Sequence, residues 1–242
     1  MKPAEFDRHA AAYDGGLDNP IKRMMGDSAD QFIAVKARWL LRREPGLKRG
    51  GLAMLDYGCG AGDLMRVLAG LGARAAFTGC DVSSGMLDEV EKRWLASLGP
   101  APALAAQDGA KTPFGDRQFD IVTISAVLHH VPVEERQAVY RELGRVLKPG
   151  GRLYVFEHNP RNPLVRYVIA RTPIDENAIL LDAREVRHGL LDTARYELET
   201  DYLMFMPPGL AFLAPIDRTL AWLPLGAQYV VAARLLPMNT GA

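Results

Sequence analysis

The chain has 242 residues, 29 of them basic and 29 acidic, for a formal net charge of +0. That balance gives no sign of the electrostatic footprint of a nucleic-acid-binding domain, and the length suits one domain with additions and a sizeable core. No uncharged apolar run reaches the ~18 residues of a membrane span. Residues 1–8 lack a signal-peptide core, and Cys59 and Cys80 read as small buried thiols, so the expectation is a cytoplasmic protein.

Taken in order, residues 4–14 carry Phe6, Ala10, Ala11 and Tyr13 in a weakly helical pattern. The spacing of Phe32, Val35, Ala37, Trp39 and Leu40 predicts a stronger helix over 27–43, capped by Asp27 or Ser28 and stopped at Pro45-Gly46. A short apolar run, 52–55, then ends in Asp56, followed by Gly58, Gly60 and Gly62 and by the helical pattern Leu64-Met65-Arg66-Val67-Leu68. Strand, glycine turn and helix together make a nucleotide-type pocket in an open parallel sheet. A dinucleotide site reads G-x-G-x-x-G, whereas this one reads G-x-G-x-G with Asp63 next. An acid at a helix start disfavours a pyrophosphate and suits a cationic, phosphate-free nucleoside.

A second strand closes on Asp81, which follows Gly62 by 19 residues, near the ~20-residue offset of a carboxylate that holds ribose hydroxyls. Asp81 or Ser83 also suits the N-cap of the next helix. A third strand, 103–107, runs into Asp108-Gly109, and a fourth, 121–124, runs into Ser125-Ala126-Val127-Leu128-His129-His130. A helix over 134–147 ends in Leu147-Lys148-Pro149-Gly150-Gly151, read as a turn, before strand five at 153–156. Beyond it lie a helix at 164–171, a helix at 183–193, and strands at 196–206 and 228–235. An apolar, proline-rich linker spans 206–226 and is too long for a hairpin.

The acid-x-G-x-G-x-G turn, Asp81, the 113–120 approach to strand four, Val127-Leu128-His129-His130 and Leu147-Lys148-Pro149-Gly150-Gly151 stand in order over residues 52–157. In these the chain resembles the class I S-adenosylmethionine-dependent methyltransferases of small-molecule type. The resemblance implies an α/β fold: a Rossmann-like, seven-stranded, mostly parallel sheet with helices on both faces and an antiparallel last strand. It implies an N-terminal helical cover (1–46) bearing Phe6 and Tyr13, then a methyltransferase domain (47–242) with apolar insertions at 158–182 and 206–226. The implied cofactor is S-adenosyl-L-methionine. Its methionine part would lie against Gly58, Gly60 and Gly62, with Asp56 near its ammonium or shaping the loop. Asp81 would hold its ribose, Val82 and Met86 would flank its adenine, Asp108 and Gly109 would meet the adenine amine, and Ser125 would line the pocket.

Methyl transfer is an in-line displacement, so alignment is the main contribution a protein makes. A base is needed only where the acceptor keeps its proton. His129, His130 and His158, with Glu157, follow strands four and five, where open α/β sheets bind ligands. They point to oxygen as the acceptor atom of a small, partly apolar molecule, with nitrogen or carbon methylation of a metabolite or lipid as the alternative. A methyltransferase-like binding protein without catalysis is a third reading. The Asp/Asn-Pro-Pro-aromatic element of base-amine methyltransferases is absent after strand four, where Ser125-Ala126-Val127-Leu128 stands. No metal site is expected, no nucleic-acid partner, and a homo-oligomer is envisaged through the apolar C-terminal segment.

Overall fold

A computed structural model describes residues 29–95, 98–172, 175, 177–207 and 211–237. Phe6, Tyr13 and the start of the N-terminal cover lie outside the described residues. Among the described residues, seven strands form one sheet in the order β3-β2-β1-β4-β5-β7-β6. The strands are β1 (Ala53–Tyr57), β2 (Ala76–Asp81), β3 (Ala103–Ala106), β4 (Phe119–Ser125), β5 (Leu147–His158), β6 (Tyr196–Leu203) and β7 (Gln228–Leu235). Strands β1 to β5 pair in parallel, and β7 runs antiparallel to both β5 and β6, as expected.

The strands at the centre are apolar on both faces because helices cover both. Leu55, Tyr57, Val122, Ile124, Leu153, Val155 and Val231 point to one face. There they meet α4 (Val133–Val146) through Val139 and Leu143, and α6 (Ala183–Leu191) through Val186 and Leu190. The alternate residues Met54, Ile121, Tyr154, Phe156 and Val230 point to the other face. That face is covered by α1 (Ala29–Arg43), through Ala37, Leu40 and Leu41, and by α2 (Asp63–Gly70), through Leu64, Met65 and Leu68. Trp39 anchors α1, standing edge-on to Tyr154 and Phe156 at 5.6 and 5.8 Å while its Nε1 donates to Asp201 Oδ2 at 2.9 Å. Helices α3 (Ser84–Arg93), α5 (Pro163–Ile169) and α7 (Ala214–Thr219) complete the described helices.

The chain leaves β1 toward β2 and β3 on one side, then returns to β4 on the other. The reversal opens a crevice beyond the carboxyl ends of β1 and β4, the usual ligand position in an open α/β sheet. One local expectation is corrected. Residues 147–151 form the start of β5 rather than a free turn, with Leu147 paired to Phe119 and the register shifting before Ile121 pairs with Arg152. Gly150, at a φ of 77°, absorbs that shift within the strand. The 206–226 linker contains a 3-10 turn and α7, and leaves Phe212 and Trp222 exposed.

Candidate active site

The cleft at the carboxyl ends of β1, β2 and β4 is lined by Asp56, Gly58, Gly60, Asp81, Val82, Met86, Ser125 and His130. The fold thus brings together most of the residues singled out in the sequence. Gly58 has a φ of 67°, and a Cβ there would lie 2.6 Å from Val127 Cγ2, so only glycine lets the loop after β4 close on the loop after β1. Gly60, at a φ of 52°, faces open space, and its N–H donates to Asp81 Oδ2 at 2.8 Å. Asp81 Oδ1 accepts from Ser83 N at 2.9 Å, so this carboxylate joins the two loops. Ser83 itself caps α3, its Oγ accepting from Met86 N at 3.1 Å.

Asp56 is buried, and its Oδ1 accepts a 2.7 Å hydrogen bond from Thr123 Oγ1. Burial pushes its carboxyl up to about 7, against the Thr123 hydrogen bond and the charge of Lys36. Lys36 was not singled out in the sequence. It is 4 % exposed, lines the same cleft from α1, and donates to Ser125 Oγ at 2.9 Å. Its signal was present: Ile33, Ala37, Leu40 and Leu41 form the apolar stripe of α1, and Lys36 is the charge within it. Asp108 and Gly109 are not drawn into the lining. Asp108 is exposed and exchanges backbone hydrogen bonds with Lys111, and Gly109 O accepts from Gln107 Nε2.

Beyond Ser125 the chain turns through Ala126 at a φ of 58°, unusual for a residue with a Cβ. Glu157, at the end of β5, holds this turn. Its Oε1 accepts from Val127 N (3.0 Å) and Leu128 N (2.7 Å), and its Oε2 lies 2.6 Å from His129 Nδ1. His129 is fully enclosed, so it is not a pocket residue, unlike His130. Burial lowers its basicity, but Glu157 and then Asp175 outweigh that and raise it, while His129 in turn holds Glu157 below the usual carboxylate range. The three histidine rings form a row: centroids of His129 and His130 are 4.2 Å apart, those of His129 and His158 5.2 Å. Burial, then the charge of His129, pulls His158 down to about 3, so it is a neutral imidazole.

His158 opens into a second, more apolar pocket with Phe32, Leu164, Val165, Val168 and Phe205. Phe32 and Ile33, neighbours on α1, cover the two pockets in turn. Arg161, in the segment ahead of α5, pairs with Asp182 at 2.9 Å and faces neither pocket. Cys59 and Cys80 are buried free thiols, as expected. No helix among the described residues is long and apolar enough to cross a membrane.

With this geometry in place, the comparisons with known proteins define the class. A methyltransferase-domain family profile matches residues 54–151, the segment that supplies most of the cleft's lining. The chain carries a class I S-adenosylmethionine-dependent methyltransferase domain, whose cofactor is S-adenosylmethionine.

Among its relatives, the ubiquinone/menaquinone biosynthesis C-methyltransferase UbiE of Desulfotalea psychrophila is 33% identical over 64% of this chain and 57% of that protein. The UbiE of Ectopseudomonas mendocina is 34% identical over 65% of this chain and 64% of its own length. The demethylmenaquinone methyltransferase of Clavibacter sepedonicus is 44% identical over 48% and 45%. The chain therefore spans about half to just under two thirds of the length of these relatives. Two solved structures share the fold. A methyltransferase of Thermotoga maritima, described as a possible histamine N-methyltransferase, has a TM-score of 0.68 at 16% identity, over 97% of this chain and 100% of its own. The magnesium protoporphyrin IX methyltransferase of Synechocystis with bound S-adenosylmethionine has a TM-score of 0.58 at 22% identity, over 85% and 79%.

Proposed function

We propose that this protein transfers a methyl group from S-adenosylmethionine to a carbon atom of a small apolar molecule, a quinol-like ring being the type that fits. The observation that carries this reading is the pairing of two pockets. A cleft that holds a buried acid and a buried lysine adjoins, through the His130–His129–His158 row, a more apolar pocket under the same helix. The expectation of oxygen rested on the histidines alone, whereas the relatives are named C-methyltransferases, which favours carbon.

In this reading the methionine part lies against Gly58 and Gly60, its ammonium beside Asp56 and its carboxylate beside Lys36, while Gly62 is outside the lining and packs on Val90. Opposite charges at the two ends fix the direction of the bound amino acid, which aligns the sulfonium methyl with the acceptor. Asp81 takes the ribose hydroxyls, with Val82 and Met86 flanking the base. Carbon methylation also releases a proton, which passes to water, because His158 at the apolar pocket is too weakly basic to hold it and serves as a neutral hydrogen-bond partner for the acceptor.

A panel of hydroquinones and phenols incubated with S-adenosylmethionine tests this. The expected result is a product heavier by one methylene unit, whose methyl sits on carbon. Val168→Phe, which fills the apolar pocket, is expected to abolish transfer while sparing cofactor affinity. Transfer that survives this substitution places the acceptor elsewhere. Methylation at oxygen would overturn the choice of atom.

A further inference from the structure

We propose that His129, His130 and Asp175 bind a divalent transition-metal ion of the zinc type. His129 and His130 stand on the 3-10 turn after β4, and Asp175 lies far along the chain, beyond α5. The fold brings Asp175 Oδ1 to 3.5 Å from His129 Nε2 and to 3.5 Å from His130 Nε2. All three donor atoms lie within 4.8 Å of one another. Zinc bonds of ~2.0–2.1 Å in a tetrahedron require donors about 3.4 Å apart, so the two measured separations already suit an ion.

A second observation points the same way. His129 is 1 % exposed, and its Nε2 makes no well-formed hydrogen bond, the Asp175 carboxylate standing 3.5 Å away. Its other ring nitrogen is engaged by Glu157 Oε2 at 2.6 Å, while Glu157 Oε1 is occupied by two backbone N–H groups. A carboxylate bound to Nδ1 fixes the ring and turns Nε2 toward Asp175, the support that metal-binding histidines usually have. The histidine side is also accessible, because His130 lines the cofactor cleft, which provides an entry path. Two imidazoles and one carboxylate form a ligand set for zinc or its first-row neighbours, with a position left for a further ligand. The sequence showed no such spacing because Asp175 is supplied by tertiary structure.

Metal binding here does not rest on the methyl-transfer reading.

The test titrates untagged, chelator-stripped protein with Zn²⁺, and with Co²⁺ followed by visible absorption. One equivalent with a low-coordinate Co²⁺ spectrum is expected. His130→Ala and Asp175→Ala are each expected to weaken binding at least tenfold, and Glu157→Gln by about 10–100-fold. S-adenosylmethionine affinity, retained by Asp175→Ala, shows that this variant is folded and separates the two claims. Absence of stoichiometric binding, or binding that His130→Ala and Asp175→Ala leave unchanged, overturns the site even where the cofactor still binds.

Discussion

At the scale of single residues, the cofactor cleft combines groups that are costly to bury with partners that make burial tolerable. Asp81 serves two backbone donors and faces the cleft, so Asp81→Ala removes the proposed ribose acceptor and frees Gly60 N. A hydrogen bond to a charged group is worth ~1.5–3 kcal/mol, so S-adenosylmethionine affinity should fall at least tenfold by calorimetry. Lys36→Met should cost a similar factor for S-adenosylmethionine and little for 5′-methylthioadenosine, which lacks the amino acid. Equal losses for the two ligands would deny Lys36 the carboxylate.

Asp56 supplies a pH prediction. Its carboxyl is carried up to about 7 in the fold, from an unfolded value of about 3.9. Between those values the folded state holds more protons than the unfolded state, so this contribution to stability is full below the unfolded pKa. It is lost as pH rises through the folded one, by at most about 1.4 kcal/mol per pH unit. Denaturant unfolding from pH 5 to 7 should show that decline in the wild type and a flatter profile in Asp56→Asn.

At the scale of elements, the site depends on two loops closing against each other, the turn after β1 and the turn after β4. Gly58 and Val127 are the contact between them. Gly58→Ala combines a positive φ with a clash, and should lower stability by ~1–3 kcal/mol and weaken cofactor binding. Adding Val127→Ala should recover the steric part and leave the dihedral part, as read from unfolding midpoints. A double variant no more stable than the single one would show that the clash is not the cause.

This scale also shows what the sequence made legible. Short continuous apolar runs disclosed β1, β4, β5 and β7, and the glycine turn and Asp81 disclosed the cleft, since both signals are local. Lys36 reaches Ser125 across 89 positions, and Asp175 reaches His129 from another segment. Neither meeting leaves a short-range pattern. The continuation of β5 through Gly150 was hidden because Pro and Gly ordinarily mark a turn, and only pairing with β4 keeps the strand extended.

At the scale of the whole molecule, the order β3-β2-β1-β4-β5-β7-β6 sets the cofactor cleft at the reversal between β1 and β4. The ends of β4 and β5 place the histidine row beside it, and α5 with the segment after β6 walls the apolar pocket next door. Helix α1 lines both, so in the proposed reading cofactor and acceptor are held under one element. The measurement that tests this arrangement most directly is incubation with S-adenosylmethionine carrying a ¹³C-labelled methyl group and a reduced quinone, followed by carbon–proton correlation spectroscopy. A protein-dependent ring-methyl signal that grows in step with S-adenosylhomocysteine is expected. Cofactor that binds yet yields no labelled product with any ring offered, or a label found only on oxygen, would contradict it.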